Sequence, residues 1–175
     1  MAAALIVGAG DATGGAIAKA FAREGYTACV NRRARNADQL EALVQSIHAE
    51  GYAARAYPAD ARVEEEVVAM VDAIERDVGP IEVAVFNIGA NVNFSILDMT
   101  SQVYRKVWEM AAFAGFLMGR EAARRMVERQ SGTIIFTGAT ASIRGGSGFS
   151  AFSSAKGALR MLAQSMAREL GPKNI

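Results

Sequence analysis

The stretch that decides the fold reads AALIVGAGDATGGAIA and covers residues 3–18. Residues 3–7 are uniformly apolar, which is typical of a strand buried on both faces of a parallel sheet. A glycine-rich turn follows at once. The small residues from Gly14 onward begin a helical pattern that Gly25 is placed to end. The segment therefore predicts a strand, a tight turn and a helix, in that order.

The same alternation of short apolar runs and longer helical patterns continues along the chain. Strands buried on both faces are predicted at Ala3–Val7, Thr27–Asn31, Ala53–Tyr57, Val83–Asn87 and Thr133–Thr137. Helices are predicted at about residues 14–24, 37–50, 64–78, 102–128 and 151–170. Asn36 is expected to cap the second helix, with Gln39 completing a capping box.

This order of elements predicts one fold class. Strictly alternating strands and helices imply a parallel sheet with right-handed crossovers and helices on both faces. A TIM barrel needs eight such units, so the five predicted here favour an open, doubly wound α/β sheet with three layers. Because no linker, repeat or low-complexity segment interrupts the pattern, we expect a single domain over residues 1–175.

Composition excludes several classes of protein. The formal net charge of the 175 residues is +1, whereas proteins that bind nucleic acids or membrane surfaces carry a marked basic excess. With one cysteine, Cys29, and one histidine, neither an intrachain disulfide nor a His/Cys metal site is expected. The N-terminal apolar run is short and enters a turn, so it predicts a strand and not a signal peptide. A cytoplasmic location is the resulting expectation.

The glycine-rich turn is a candidate phosphate-binding site. Glycine lets the backbone approach a pyrophosphate closely, and the helix that follows offers unpaired N–H groups and a positive dipole end. A purely structural turn is the alternative interpretation, and the position between the first strand and the first helix favours binding. The candidate residues are Gly8, Gly10, Ala12, Thr13 and Gly14.

The spacing in this turn resembles the T-G-x-x-x-G-x-G pattern of the short-chain dehydrogenase/reductase family. Gly8 and Gly14 match its first and third glycines, while Val7 stands at the threonine and Ala12 at the middle glycine. The methyl group of Ala12 adds bulk beside the phosphates but leaves the helix N-terminus in place.

The resemblance extends along the chain. Asp60-Ala61 follows the third strand, where the family has an acidic residue that hydrogen-bonds adenine. The segment Asn87-Ile88-Gly89 resembles the end of the N-N-A-G signature, with Phe86 in place of its first asparagine. The resemblance implies that Asn87 and Gly89 lie beside the cofactor.

The end of the second strand predicts which nicotinamide cofactor is bound. Relatives that prefer NAD place an acid near this point to hold the ribose hydroxyls, whereas Arg32 and Arg33 stand here, with Arg35 close behind. Guanidinium groups bind a 2′-phosphate through charge-assisted hydrogen bonds. A solvated basic loop is the alternative, and the strand-end position favours NADP over NAD.

The resemblance also implies a catalytic tetrad, of which one functional group is present. Lys156 matches the family's lysine, which lowers the pKa of the catalytic tyrosine and holds the nicotinamide ribose. The tyrosine position is Phe152, the serine position Ala139 and the asparagine position Ala111. Losing a general acid typically costs about 10²–10⁴ in rate. Thr140, next to the serine position, is a candidate substitute that can polarise a carbonyl if the loop shifts.

Other hydroxyl groups lie near these positions, and loop hydrogen bonding or helix capping is the ordinary interpretation of them. They belong to Thr137, Ser142, Ser150, Ser153 and Ser154.

Two functions remain open from the sequence. The first is an atypical NADP(H)-dependent oxidoreductase of the family, acting on an unidentified carbonyl or alcohol substrate that does not need the tyrosine. The second is a catalytically impaired NADP(H)-binding protein, a sensor or a partner subunit. By analogy with relatives, the helices at 102–128 and 151–170 form a homo-oligomer, although their apolar residues can equally be core. Relatives continue with a sixth strand and a substrate segment, so a longer natural polypeptide is expected.

Overall fold

Five parallel strands form the centre of the computed structural model, which describes residues 2–175. The strands are β1 (Ala3–Val7), β2 (Thr27–Asn31), β3 (Ala54–Ala56), β4 (Ile81–Phe86) and β5 (Thr133–Phe136). Their order in the sheet is β3-β2-β1-β4-β5, and every pair is parallel. The strand order reverses between β1 and β4, and ligands of open α/β sheets bind in the crevice at the carboxyl ends of the strands at such a point.

Helices cover both faces of the sheet, which confirms the doubly wound fold. They are α1 (Thr13–Arg23), α2 (Ala37–Ala49), α3 (Glu64–Asp77), α4 (Ser101–Trp108), α5 (Ala114–Arg129) and α6 (Ser150–Leu170). Successive residues of β1 point to opposite faces. Ile6 packs in one core with residues of α1 and α2, while Leu5 packs in a second core with residues of α3, α5 and α6.

The prediction that every strand is buried on both faces is wrong for the two edge strands. Thr133 and Ile135 of β5 are exposed, and so is Arg55 of β3. Ile134 and Phe136 pack on the core beneath α5 and α6. The opposite face of β5 has no such cover, because α1 and α2 pack over β1, β2 and β3.

The predicted long helix is interrupted. Between α4 and α5 the backbone forms a π-helical turn over Glu109–Phe113, so one helical rod from 101 to 129 contains a widened turn in its middle. Such turns frequently mark functional sites. Ala111, a predicted catalytic position, lies inside it and is fully buried.

The predicted capping box of the second helix is absent. A short 3₁₀ turn, Ala34–Asn36, precedes α2, and the Asn36 side chain makes no capping hydrogen bond. A side-chain cap is found instead at α4, where the Thr100 hydroxyl accepts a hydrogen bond of 3.2 Å from the Val103 amide. After α6 the chain continues in a 3₁₀ turn over Gly171–Lys173. No helix within residues 2–175 is long and apolar enough to cross a membrane.

Candidate cofactor cleft and catalytic positions

The turn between β1 and α1 is built from glycines that the packing requires. A Cβ on Gly14 would lie 2.3 Å from the Gly8 carbonyl oxygen, and one on Gly8 would lie 2.9 Å from the Asn87 carbonyl. Gly8 also has a φ of +88°, in the region that favours glycine. Within residues 2–175 no side chain caps α1 at Ala12, which is exposed together with Thr13. The amides of Thr13 and Gly14 are therefore available to an anion, whereas the next one, of Gly15, donates to the Gly10 carbonyl (2.7 Å).

Asn87 ties this turn to the ends of two further strands. Its side-chain Nδ2 donates a hydrogen bond of 3.2 Å to the Gly8 backbone carbonyl, and its side-chain Oδ1 accepts one of 3.0 Å from the Thr137 hydroxyl. Asn87 thus links the carboxyl ends of β1, β4 and β5. The sequence indicated only an ordinary loop hydroxyl at Thr137, because its hydrogen-bond partner lies 50 residues away along the chain. Gly89 is exposed near the same crevice.

Asn31, the buried last residue of β2, was missed by the sequence interpretation. Its backbone carbonyl accepts hydrogen bonds from the amides of Gly8 (3.1 Å) and Ala9 (3.0 Å). Its side-chain amide donates to the carbonyls of Tyr57 (2.8 Å) and Ala59 (3.1 Å). Asn31 therefore joins the glycine turn to the loop that carries Asp60. The sequence did carry a signal for this role, because Asn31 is a polar residue at the end of an otherwise mostly apolar strand.

A cleft of about 260 Å³ opens where these elements meet, and arginines dominate its walls. The guanidinium of Arg32 lies 2.9 Å from the Asp11 carboxylate, which is mostly solvent-exposed. Arg33 and Arg35 pair with no carboxylate among residues 2–175. Burial lowers the pKa of Arg33, and the neighbouring cations Arg35 and Arg62 lower it further. An anion entering this cleft would relieve that repulsion.

Asp60 and Ala61, the predicted adenine contacts, line the same cleft. The Asp60 carboxylate is held by Arg62, whose Nε and Nη2 lie 2.9 Å and 2.5 Å from the two carboxylate oxygens. Hydrogen bonding from Arg62 lowers the pKa of Asp60. Arg62 was not among the residues singled out in the sequence.

Lys156 is buried, with 3% of its surface exposed. Its ammonium donates hydrogen bonds to the carbonyls of Ile88 (3.0 Å) and Thr137 (2.9 Å), which follow β4 and β5. Burial lowers the pKa of this ammonium. Because an ammonium carries three donors, one remains for a ligand in the crevice. The lysine thus combines a structural role with the capacity to hold a ribose hydroxyl.

The other three tetrad positions carry side chains that do not titrate. Phe152 is half-buried in the first turn of α6. Ala111 belongs to an apolar cluster with Ala151 and Ala155 of α6. Ala139 precedes a 3₁₀ turn over residues 140–142, and its carbonyl accepts a hydrogen bond from Ser142. No acid or base is found at these three positions.

The nearby hydroxyls divide into two groups. Those of Ser142 and Ser154 bond to backbone carbonyls of their own turns, as the ordinary interpretation expects. The hydroxyls of Ser150 and Ser153 are buried on α6 and have no hydrogen-bond partner among residues 2–175. Thr140 is exposed.

The arrangement fits a dinucleotide. The glycine turn, which a Cβ would fill, and the uncapped N-terminus of α1 match a pyrophosphate. The arginines of the cleft that lack a carboxylate partner within residues 2–175 match a further phosphate. Within residues 2–175, no group of three or more His, Cys, Asp or Glu side chains is placed to hold a metal ion.

Comparison with known sequences gives the chain's relatives. The profile of the short chain dehydrogenase family matches residues 2–175. The chain is 31% identical over 172 residues to 2-dehydro-3-deoxy-D-gluconate 5-dehydrogenase of Formosa agariphila. This match covers 98% of the chain and 65% of that protein. It is also 31% identical to 5-keto-D-gluconate 5-reductase of Escherichia coli K12, covering 66% of it. The chain thus spans about two thirds of the length of these relatives.

A solved structure is similar over nearly the whole chain. The short-chain dehydrogenase from Rhodopseudomonas palustris has 56% sequence identity and a TM-score of 0.95, and the match covers 99% of this chain and 81% of that one. The glycine turn, the parallel sheet and the position of Lys156 agree with this relationship. The chain belongs to the short chain dehydrogenase family.

Proposed function

We propose that the protein is an NADP(H)-dependent oxidoreductase that interconverts a carbonyl compound and an alcohol. The observation that carries the proposal is the cleft beside the glycine turn, where Arg33 and Arg35 have no carboxylate partner among residues 2–175. Family membership supports the reaction class, and the arginines support the choice of cofactor.

Each part of the cleft would hold a different part of NADP(H). The turn from Gly8 to Gly14 and the N-terminus of α1 would bind the pyrophosphate, and Asp60 with Ala61 would bind the adenine. Lys156 would hold the nicotinamide ribose through its third donor, beside Asn87. When bound, NADPH supplies the hydride for reduction of a carbonyl carbon.

Titration with NADPH and NADH tests the choice of cofactor. Charge-assisted hydrogen bonds contribute about 1.5–3 kcal/mol each, so one or two to a 2′-phosphate favour NADPH by at least about tenfold. The variant R32A/R33A is expected to erase the difference. R160A/R168A is the matched control, since it removes two arginines on α6, outside the cleft. Equal affinities in the unaltered protein would refute the NADP assignment.

A second candidate function is a non-catalytic NADP(H)-binding protein, a sensor or partner subunit. Phe152, Ala139 and Ala111 favour it, because none of them can supply or relay a proton. Steady-state NADPH oxidation over a panel of carbonyls separates the two functions. The panel should include 5-keto-D-gluconate, the compound in the name of the E. coli relative. Turnover supports the oxidoreductase, and its absence with retained NADPH binding supports the binding protein.

We further propose that the protein is a cytoplasmic homo-oligomer. Family analogy supports self-association through α5 and α6, between which lies a groove of about 620 Å³ containing Phe116, Leu162 and Met166. The buried Cys29 is a free thiol, in keeping with a reducing compartment. Light scattering on the full chain tests the assembly: F116E should shift a dimer or tetramer toward monomer, and a monomeric unaltered protein would refute it.

A further inference from the structure

The pair formed by Asp60 and Arg62 is placed to control the charge of the cofactor cleft. Two guanidinium nitrogens and the backbone amide of Arg62 all donate hydrogen bonds to the Asp60 carboxylate. Both residues line the cleft, at its wall formed by the loop after β3. Their side chains retain 21% and 28% of their exposure, so solvent screens the pair only in part.

Arg33 lies within electrostatic reach of both members of this pair. All three residues line the same cleft. Asp60 raises the pKa of Arg33, and Arg62 lowers it. Arg33 itself has no ion-pair partner within residues 2–175. Asp60 is therefore the carboxylate that can neutralise Arg33 if its present partner is removed.

We propose that Arg62 determines cofactor specificity: by occupying Asp60 it keeps that carboxylate from Arg33 and leaves Arg33 and Arg35 free for the 2′-phosphate of NADP(H). This inference rests on the proposed function. The role assigned to Arg62 is indirect, because it acts through Asp60, and a direct contact between Arg62 and the phosphate is the competing explanation.

Removing Arg62 has two electrostatic consequences. The uncovered Asp60 carboxylate repels an incoming phosphate, and it also attracts the Arg33 guanidinium away from it. Both effects weaken a ligand that carries the 2′-phosphate and leave a ligand without it nearly unaffected. The measurable quantity is therefore the ratio of affinities for 2′,5′-ADP and 5′-AMP, which differ by that phosphate alone.

The experiment is calorimetric titration of the full chain with these two nucleotides, which needs no turnover. R62M is expected to lower the preference for 2′,5′-ADP by about tenfold. The control is R76M, because Arg76 forms a similar two-point pair with Asp77 (2.7 and 3.1 Å) on α3, outside the cleft. R76M should leave the preference unchanged.

The double variant D60N/R62M separates the indirect role from direct contact. Asparagine keeps an oxygen acceptor for adenine but cannot neutralise Arg33, so the preference should return to within about twofold of the unaltered protein. The single variant D60N should not lower the preference, because any loss of the adenine contact weakens 2′,5′-ADP and 5′-AMP alike. Thermal melts confirm that each variant is folded.

Three results would overturn the proposal. An unchanged preference in R62M shows that Asp60 does not compete for Arg33. A preference that stays low in D60N/R62M shows that Arg62 contacts the phosphate directly. Equal binding of 2′,5′-ADP and 5′-AMP by the unaltered protein removes the NADP assignment and this proposal together, whereas the first two results leave that assignment standing.

Discussion

Restoring two missing groups beside Lys156 should increase the rate at which the chain reduces carbonyl compounds. The double variant F152Y/A139S supplies a phenol and a serine hydroxyl at the positions that carry them in relatives. A tyrosine at 152 would lie one helical turn from Lys156, whose ammonium is held by the carbonyls of Ile88 and Thr137. A nearby cation lowers the tyrosine pKa from its ordinary value of about 10.

The size of the gain follows from what is restored and what stays missing. A positioned general acid contributes about 10²–10⁴ in rate, which corresponds to roughly 3–5 kcal/mol of barrier. Ala111 stays in its buried π-helical turn and cannot anchor a relay water. Lys156 is already bonded to two carbonyls, which reduces its effect on the tyrosine. The gain should therefore lie near the lower end, about 10²-fold.

NADPH consumption with an activated ketone measures this gain. F149Y/A141S is the matched control, because it adds the same groups at a half-buried phenylalanine and alanine near the site. K156M in the F152Y/A139S background should abolish the new activity. An equal gain in the control, or strong turnover by the unaltered protein that does not respond to changes at 152, would show that another group carries the proton.

Three further predictions concern the turn, a strained residue and an ion pair. G14A should lower both the melting temperature and NADPH affinity, because its Cβ would lie 2.3 Å from a backbone carbonyl oxygen. G145A is the control, because its Cβ would meet no atom within 4 Å and Gly145 lies outside the turn. A90G should stabilise the fold by about 1 kcal/mol in denaturant unfolding, because Ala90 has a φ of 125° that glycine adopts without strain; unchanged stability would contradict this. Because Arg62 depresses the pKa of Asp60 below its ordinary 3.8, their pair stabilises the fold above that pH and loses its contribution as the pH falls through the folded-state pKa. The stability difference between the unaltered protein and R62M should shrink over that acid range, and a constant difference would refute the assignment.

The sequence predicted the fold because local patterns and fold geometry agreed. The apolar run before Gly8 placed β1 at its observed bounds, and the run that ends before Arg32 placed β2. The exposed residues of β5 could not be foreseen, because an edge strand and a central strand have similar apolar composition. The π-helical turn around Ala111 also lacked a sequence signal, since it contains no proline or glycine.

The sequence predicted the motifs of the candidate site but not the hydrogen bonds and ion pairs that connect them. Gly8 and Gly14 stood out through the spacing of the glycine turn, and Lys156 through the resemblance to the family's catalytic pattern. Asn31 and Arg62 did not, because their roles depend on partners brought close by the sheet crossovers and by a loop. Hydrogen bonds from the Asn31 amide to carbonyls 26 and 28 residues away cannot be read from a local pattern.

A crystal structure with NADP⁺ bound tests the central claim most directly. The account predicts the 2′-phosphate within hydrogen-bond distance of the guanidinium of Arg33, with Arg32 or Arg35 beside it and the pyrophosphate at the N-terminus of α1. It also predicts Phe152 facing the nicotinamide, with no tyrosine hydroxyl within about 3.2 Å of the place for a substrate oxygen. A ribose held by an acidic side chain, or a tyrosine hydroxyl at that place, would contradict the account.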